Sequence, residues 1–172
     1  MLTTLAVQNY RSLRDLVLPM SRLTVVVGAN GTGKSSLYRA LRLLAQAARN
    51  GAVAALAREG GLPSTLWSGP EVVGRAVREG RAPVQGTVRT KAAALRLGFA
   101  GDEFGYAIDL GYPVPGDTVF NLDPEVKREC VWTGPTLRNG TLLADRAGPV
   151  VRTRNRTGSG RSTSQASDRS TA

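Results

Sequence analysis

The residues with the clearest chemistry lie close to the N-terminus. Gly28-Ala29-Asn30-Gly31-Thr32-Gly33-Lys34-Ser35 matches G-x-x-x-x-G-K-[ST] at every fixed position. Glycines in such a turn let backbone N–H groups converge on phosphate oxygens with no Cβ in the way. A helix opening at Lys34 adds its unpaired N–H groups and the positive end of its dipole. In that arrangement Lys34 reaches the β- and γ-phosphates of a nucleotide, and the Ser35 hydroxyl is a ligand for Mg²⁺. Residues 28–36, Ser36 included, are the candidate nucleotide-binding set, with ATP and Mg²⁺ as the implied ligands.

Composition removes much other chemistry. The chain has no histidine and one cysteine, Cys130. A Ser-His-Asp triad, a Cys-His pair, a His-ligated metal and a cysteine zinc cluster are all excluded. Guanine recognition through N-K-x-D is excluded too, because Lys34, Lys91 and Lys127 follow Gly33, Thr90 and Val126 rather than Asn. With 172 residues, 41% hydrophobic and 21% charged, the chain can build one core. No run approaches a membrane span, and the first ten residues do not read as a signal peptide, so the expectation is a soluble cytoplasmic protein.

The phosphate turn needs a strand before it and a helix after it. Residues 23–27, Leu-Thr-Val-Val-Val, read as a strand buried on both faces, as in a parallel sheet. Leu37, Leu41, Leu44 and Ala48 form a helical stripe that should end at Asn50-Gly51. A second short helix is expected over 52–58, closed by Gly60-Gly61. Ahead of the turn, 2–7 and 15–18 are short strand candidates. Residues 62–86 are rich in glycine and proline and read as loop. Beyond them the period shifts toward two, giving strand candidates at 87–90, 92–99, 104–110, 126–133 and 141–144, and a weak one at 149–152. Gly101-Asp102-Glu103 predicts a hairpin between the second and third of these.

The net charge is +10, and 20 of the 23 basic residues are arginine. Residues 1–58 carry +7, residues 59–151 carry −1 and residues 152–172 carry +4. Such a balance favours polyanions, DNA among them, although an arginine-rich codon bias would produce the same count. The last stretch has only Ala166 and Ala172 as apolar residues and is expected to be a disordered basic tail. The expected organisation is a lobe over 1–151 followed by that tail over 152–172.

Two segments together resemble a family. Leu5-x-Val7-x-Asn9-Tyr10-Arg11-Ser12-Leu13-x-Asp15 is followed by the run from Leu23 through Gly28-Ala29-Asn30-Gly31-x-Gly33-Lys34-Ser35-Ser36-Leu37. This pairing resembles the RecF/SMC branch of ABC-type ATPases, and more narrowly the RecF-like AAA-family ATPases of bacteria. The resemblance is specific over 1–45 and weaker from Leu97-Gly98-Phe99 to Val151. It implies an α/β fold: the N-terminal lobe of an ABC-type P-loop NTPase with a β-rich middle and an incomplete sheet. It implies ATP hydrolysis in a homodimer of the complete protein, with a role in DNA repair, recombination or defence. It assigns Arg11 to the nucleotide phosphates, which an arginine at the end of a first strand can also reach on physical grounds. It places the Asn30 backbone near the β-phosphate, with a positive φ expected there.

An ATPase of this type also needs a Walker B strand ending in Asp-Glu. Asp109, Asp123 and Asp145 are poor candidates, followed by Leu110, Pro124 and Arg146. No Leu-Ser-Gly-Gly-type signature and no heptad arm occur. The catalytic residues are therefore unknown. A truncated or frame-shifted product is one explanation, and a basic tail with its own polyanion-binding role is the other. A nucleotide- or nucleic-acid-binding fragment without turnover, and a small P-loop kinase, stand as alternatives to the ATPase. Glu71, Glu79, Glu103 and Glu125 are expected at the surface.

Overall fold

The computed structural model describes residues 1–69, 75, 79–81, 94–113, 123–154 and 160–164, the last of these as backbone only. Eight strands form one sheet: β1 (Leu2–Tyr10), β2 (Leu13–Pro19), β3 (Ala94–Gly101), β4 (Phe104–Gly111), β5 (Glu125–Thr133), β6 (Leu142–Ala147), β7 (Val150–Arg154) and β8 (Gly160–Ser164). Their order is β2-β1-β3-β4-β5-β6-β7-β8, and every pair is antiparallel. Among the described residues three named helices accompany the sheet: α1 (Lys34–Asn50), α2 (Ala52–Arg58) and α3 (Gly61–Thr65). None is long and apolar enough to cross a membrane.

Alternation along the strands explains the core. Leu5 and Val7 of β1, Leu95 and Leu97 of β3, Ile108 and Leu110 of β4, and Val126 of β5 turn to one face. They are buried in one cluster with Leu37, Ala40, Leu43 and Leu44 of α1, Ala55 and Leu56 of α2, and Leu62 of α3. The bounds of α1 and α2 agree with the glycine punctuation. The buried stripe of α1 is rotated by about one position from the expected one, because Ala40 and Leu43 are buried while Leu41 is half-buried and Ala48 exposed.

The opposite sheet face is polar at its centre. Arg96 donates to Gln8 at 2.9 Å and to Asp109 at 3.0 Å, and Arg128 donates to Asp145 at 3.0 and 3.3 Å. Beside this ladder, Ala100, Cys130 and Trp132 form a small second cluster. Burial pushes the Cys130 thiol up from its ordinary value, which disfavours the reactive thiolate. The Trp132 ring lies over Gly105, where an added Cβ would overlap it. Gly105→Ala is expected to lower stability by about 1–3 kcal/mol, the usual cost of overpacking. Urea denaturation checks this, and an unchanged midpoint would contradict the packing.

Several expectations need correction. Residues 23–27 are not a strand. Leu23, Val25 and Val27 are 80%, 72% and 84% exposed. A β-branched run forms a strand only against a neighbour with free backbone groups, and none of the described strands pairs with it. The sheet is correspondingly antiparallel throughout, not parallel around the phosphate turn. Residues 61–65 form α3 where a loop was expected; Pro63 is tolerated because it stands in the first helical turn. β7 runs to Arg154, across the expected boundary at 151/152, and the backbone of 160–164 pairs with it where composition predicts disorder. Edge pairing of this kind uses backbone groups and asks little of side chains. The strand candidate at 87–90 and Glu71 lie outside the described residues. Glu79, Glu103 and Glu125 are exposed as expected.

Candidate functional site

The phosphate turn is built between two fixed elements. On one side it becomes α1, whose first turn has no capping side chain and no acidic residue. Its leading N–H groups are therefore available to an anion. On the other side it abuts the β1–β2 hairpin. Gly33 has φ +101°, and a Cβ there would come within 2.9 Å of Leu13 Cδ2 and 3.1 Å of Ser12 Oγ. Glycine at 33 satisfies both the left-handed backbone and the close approach. The Ser12 and Ser36 hydroxyls share a hydrogen bond of 2.8 Å. The Asn9–Leu13 element and the phosphate turn, two separate stretches of sequence, thus meet in space.

Within the turn, Thr32 Oγ1 donates to the Ala29 carbonyl at 2.9 Å. Lys34 Nζ donates to the Gly28 and Ala29 carbonyls at 2.6 and 2.7 Å, so its ammonium lies across the mouth of the loop. The positive φ expected at Asn30 is found instead at Gly31, +85°, the residue with no Cβ to strain.

The hairpin carries unusual backbone geometry. Asn9 and Arg11 have φ +58° and +49°. The left-handed residue at Asn9 breaks the strand's alternation and turns Tyr10 into the core, fully buried. Arg11 then begins the two-residue turn to Leu13, a position where hairpins favour glycine. Its N–H donates to the Thr65 carbonyl at 2.7 Å, so α3 holds the turn in place.

The Arg11 side chain reaches α2. Its Nη2 donates to Glu59 Oε2 at 2.7 Å, and the Tyr10 hydroxyl donates to the same carboxylate oxygen at 3.1 Å. Burial alone would push the Glu59 carboxyl up, but the hydrogen bonds from Arg11 and Tyr10 outweigh it and hold it below its ordinary 4.5. A carboxylate held low in the folded state contributes stability at neutral pH. That contribution is expected to fade as pH falls below 4.5 through the lowered value. Glu59→Gln should flatten this part of a stability-versus-pH curve, and an unchanged curve would contradict the ion pair.

These groups share a cavity of about 690 Å³. Lys34, Ser35 and Arg11 line one part of it, and Tyr38, Arg39, Arg42, Arg58 and Glu59 the remainder. Five cations against one acid give it a positively charged lining suited to an anion. The fit to a nucleotide with Mg²⁺ follows from the donors: uncapped helix N–H groups, an ammonium, a guanidinium and the exposed Ser35 hydroxyl. Mg²⁺, when bound, supplies charge neutralisation between phosphate oxygens.

The Walker B candidates lie elsewhere. Asp109 lines a separate hollow of about 470 Å³ on the opposite sheet face and is bonded to Arg96. Asp145 pairs with Arg128, and Asp123 is exposed ahead of β5. None lines the cavity that holds Lys34. No cluster of three or more acids, cysteines or histidines fit for a metal occurs among the described residues. Sequence reasoning missed Glu59 and the Arg39–Arg42–Arg58 wall, and it quoted Tyr10 and Ser12 only as parts of the family motif, with no role assigned to either. Glu59 had one detectable signal: it follows a segment of 58 residues that holds a single acid, Asp15.

Comparison with known proteins agrees with this geometry. Residues 1–81 match the model of the AAA ATPase domain family. The chain is 48% identical over 44 residues to the OLD nuclease of Thermus scotoductus, a match covering 26% of this chain and 8% of that protein. No solved structure matches. With a phosphate turn at a helix N-terminus, braced by the hairpin and facing a basic cavity, residues 1–81 resemble the N-terminal portion of an AAA-family ATPase domain.

Proposed function

We propose that the chain binds ATP·Mg²⁺ through residues 28–36 and Arg11, as the N-terminal lobe of a RecF/SMC-like, ABC-type ATPase. The observation that carries this reading is the shared cavity. Lys34 and Ser35 of the phosphate turn line it together with Arg11 of the hairpin, although they lie 23 and 24 positions from it in the sequence. Lys34 and Arg11 supply charge to the phosphates, the α1 N–H groups supply directional donors, and Ser35 supplies the oxygen for Mg²⁺. Filter binding of labelled ATP with Mg²⁺ or with EDTA tests it. Retention that needs Mg²⁺ and falls from ATP to AMP supports the reading. Equal retention of ATP and AMP would sink it, because the built part of the site addresses the outer phosphates.

In the complete protein the lobe works as a homodimer and hydrolyses ATP in a process on DNA: repair, recombination or defence. The +7 charge of residues 1–58 and the exposed Arg39, Arg42 and Arg58 support a DNA-facing surface. Binding to duplex DNA is expected to be weak and non-specific, with a slope of log K against log salt of roughly −0.9 per phosphate neutralised. Removing residues 152–172 should make that slope shallower. Fluorescence anisotropy across a salt series measures both, and tight salt-insensitive binding would contradict the electrostatic account.

A second reading, nucleotide binding without turnover by this polypeptide, is favoured by one observation. The acid in the cavity, Glu59, is already engaged by Arg11 and Tyr10.

A further inference from the structure

We infer that Glu59, together with Tyr10, is a positioning residue for nucleotide binding, holding the Arg11 guanidinium in the wall of the phosphate cavity. The inference rests on the ATP-binding reading and adds residues to which that reading assigns no role.

Arg11 is constrained from four directions. Its backbone occupies the left-handed region at φ +49°, uncommon for a residue with a Cβ. Its N–H is tied to the Thr65 carbonyl. Its Nε donates to the Tyr10 hydroxyl at 3.4 Å, and its carbon Cζ stands 5.6 Å from the centre of the Tyr10 ring. Its Nη2 donates to the Glu59 carboxylate at 2.7 Å and to the Glu59 carbonyl at 3.4 Å. A backbone kept in a sparsely populated conformation by several independent contacts is one that the surrounding structure over-determines, and such positions cluster at ligand sites.

The pattern of donors gives the direction of the argument. Nε and Nη2 are occupied by Tyr10 and Glu59. Nη1 donates to nothing among the described residues, in a side chain that lines the cavity with Lys34 and Ser35. Glu59 thus anchors one side of the fork and leaves the other side for a phosphate oxygen. Its own side chain is only 10% exposed and is itself held by Tyr10, so the anchor does not drift. An unanchored arginine would have to give up rotamer freedom on binding; this one has given it up already.

The opposing effect is charge. Glu59 is an anion in a cavity proposed to receive anionic phosphate, and by charge alone its removal would strengthen binding. Positioning and repulsion therefore predict opposite signs, which makes the inference testable by affinity.

The experiment is calorimetric titration of ATP·Mg²⁺ into the full 172-residue chain and its variants, with thermal melting of each. Glu59→Ala is expected to weaken binding about tenfold. Glu59→Gln, whose amide oxygen still accepts from Arg11, should restore affinity to within about threefold of the unaltered chain. Arg11→Ala should weaken binding at least as much as Glu59→Ala, and adding Glu59→Ala to it should change nothing further. A loss that persists undiminished in the Arg11→Ala background would show a merely structural role and overturn the inference. Unchanged or tighter binding in Glu59→Ala would also overturn it. Should Glu59→Ala not fold, Glu59→Asp keeps the charge and withdraws the carboxylate by one methylene. A several-fold loss is then expected, and none would overturn the inference. Lys34→Ala separates the levels: if it too leaves affinity intact, the ATP-binding reading has failed, whereas its loss beside an unaffected Glu59→Ala defeats the positioning role alone.

Discussion

Lys34→Ala is expected to weaken ATP·Mg²⁺ binding by about 10- to 150-fold, the equivalent of the ~1.5–3 kcal/mol of a charge-assisted hydrogen bond. Lys34 is the one charged side chain within the turn, and its ammonium stands at the loop mouth on the Gly28 and Ala29 carbonyls. On the proposed binding mode, Lys34 would exchange those two carbonyls for phosphate oxygens, which carry more charge and would hold the ammonium more strongly. Removing the ammonium also unties the two carbonyls from each other, so the loop loses a brace as well as a ligand. Calorimetry reads the effect directly. Equal affinities for the two proteins would remove the phosphate turn from the account.

Single-turnover hydrolysis of labelled ATP by residues 1–172 is expected to run at the uncatalysed background, even at saturating protein. In the proposed site, grip on the ground state would come from Lys34, Ser35, Arg11 and the α1 N-terminus. Turnover also needs an oriented water and stabilisation of the charge that develops on the transferred group. The cavity's acid, Glu59, is bonded to Arg11 and Tyr10, while Asp109 and Asp145 are bonded to arginines on the other sheet face. A Lys34-dependent rate near the ~1 s⁻¹ of ordinary enzymes would contradict this. Asp123, exposed and outside both ion pairs, would then be the first carboxylate to replace.

Local signals made part of this legible in the sequence. The phosphate turn could be read because each fixed position has its own chemical reason. The structure adds that Gly33 is required twice, by its φ and by Leu13 and Ser12 packed against it. The bounds of α1 and α2 were readable from Gly33, Gly51 and Gly60, which interrupt an otherwise apolar and helix-forming stretch. The face of α1 was harder, because Ala40, Leu41, Leu43 and Leu44 offer two overlapping stripes and only the sheet beneath selects one.

Residues 23–27 show the limit of local reading. Their composition states a preference for extended backbone, yet pairing depends on a partner that no local window contains. The burial of Tyr10 and the role of Glu59 were invisible for a related reason. A left-handed residue at Asn9 turns Tyr10 inward, and α2 brings Glu59 to Arg11 from 48 positions along the chain. Neither event leaves a periodic trace. Asp109 was legible only as one of three poor Walker B candidates, since Leu110 follows it; what no local window shows is its register opposite Arg96 and Arg128, which places it in a charge ladder.

The central claim is that phosphate is held by the turn, the helix N-terminus and the hairpin together. Amide NMR of the ¹⁵N-labelled chain during titration with ATP·Mg²⁺ tests it most directly. The account predicts that the largest shifts fall on the amides of residues 31–36 and on Arg11 and Ser12, and that they are lost in Lys34→Ala. Shifts concentrated instead around Asp109, Arg128 and Cys130 on the opposite sheet face, with residues 31–36 unmoved, would contradict it.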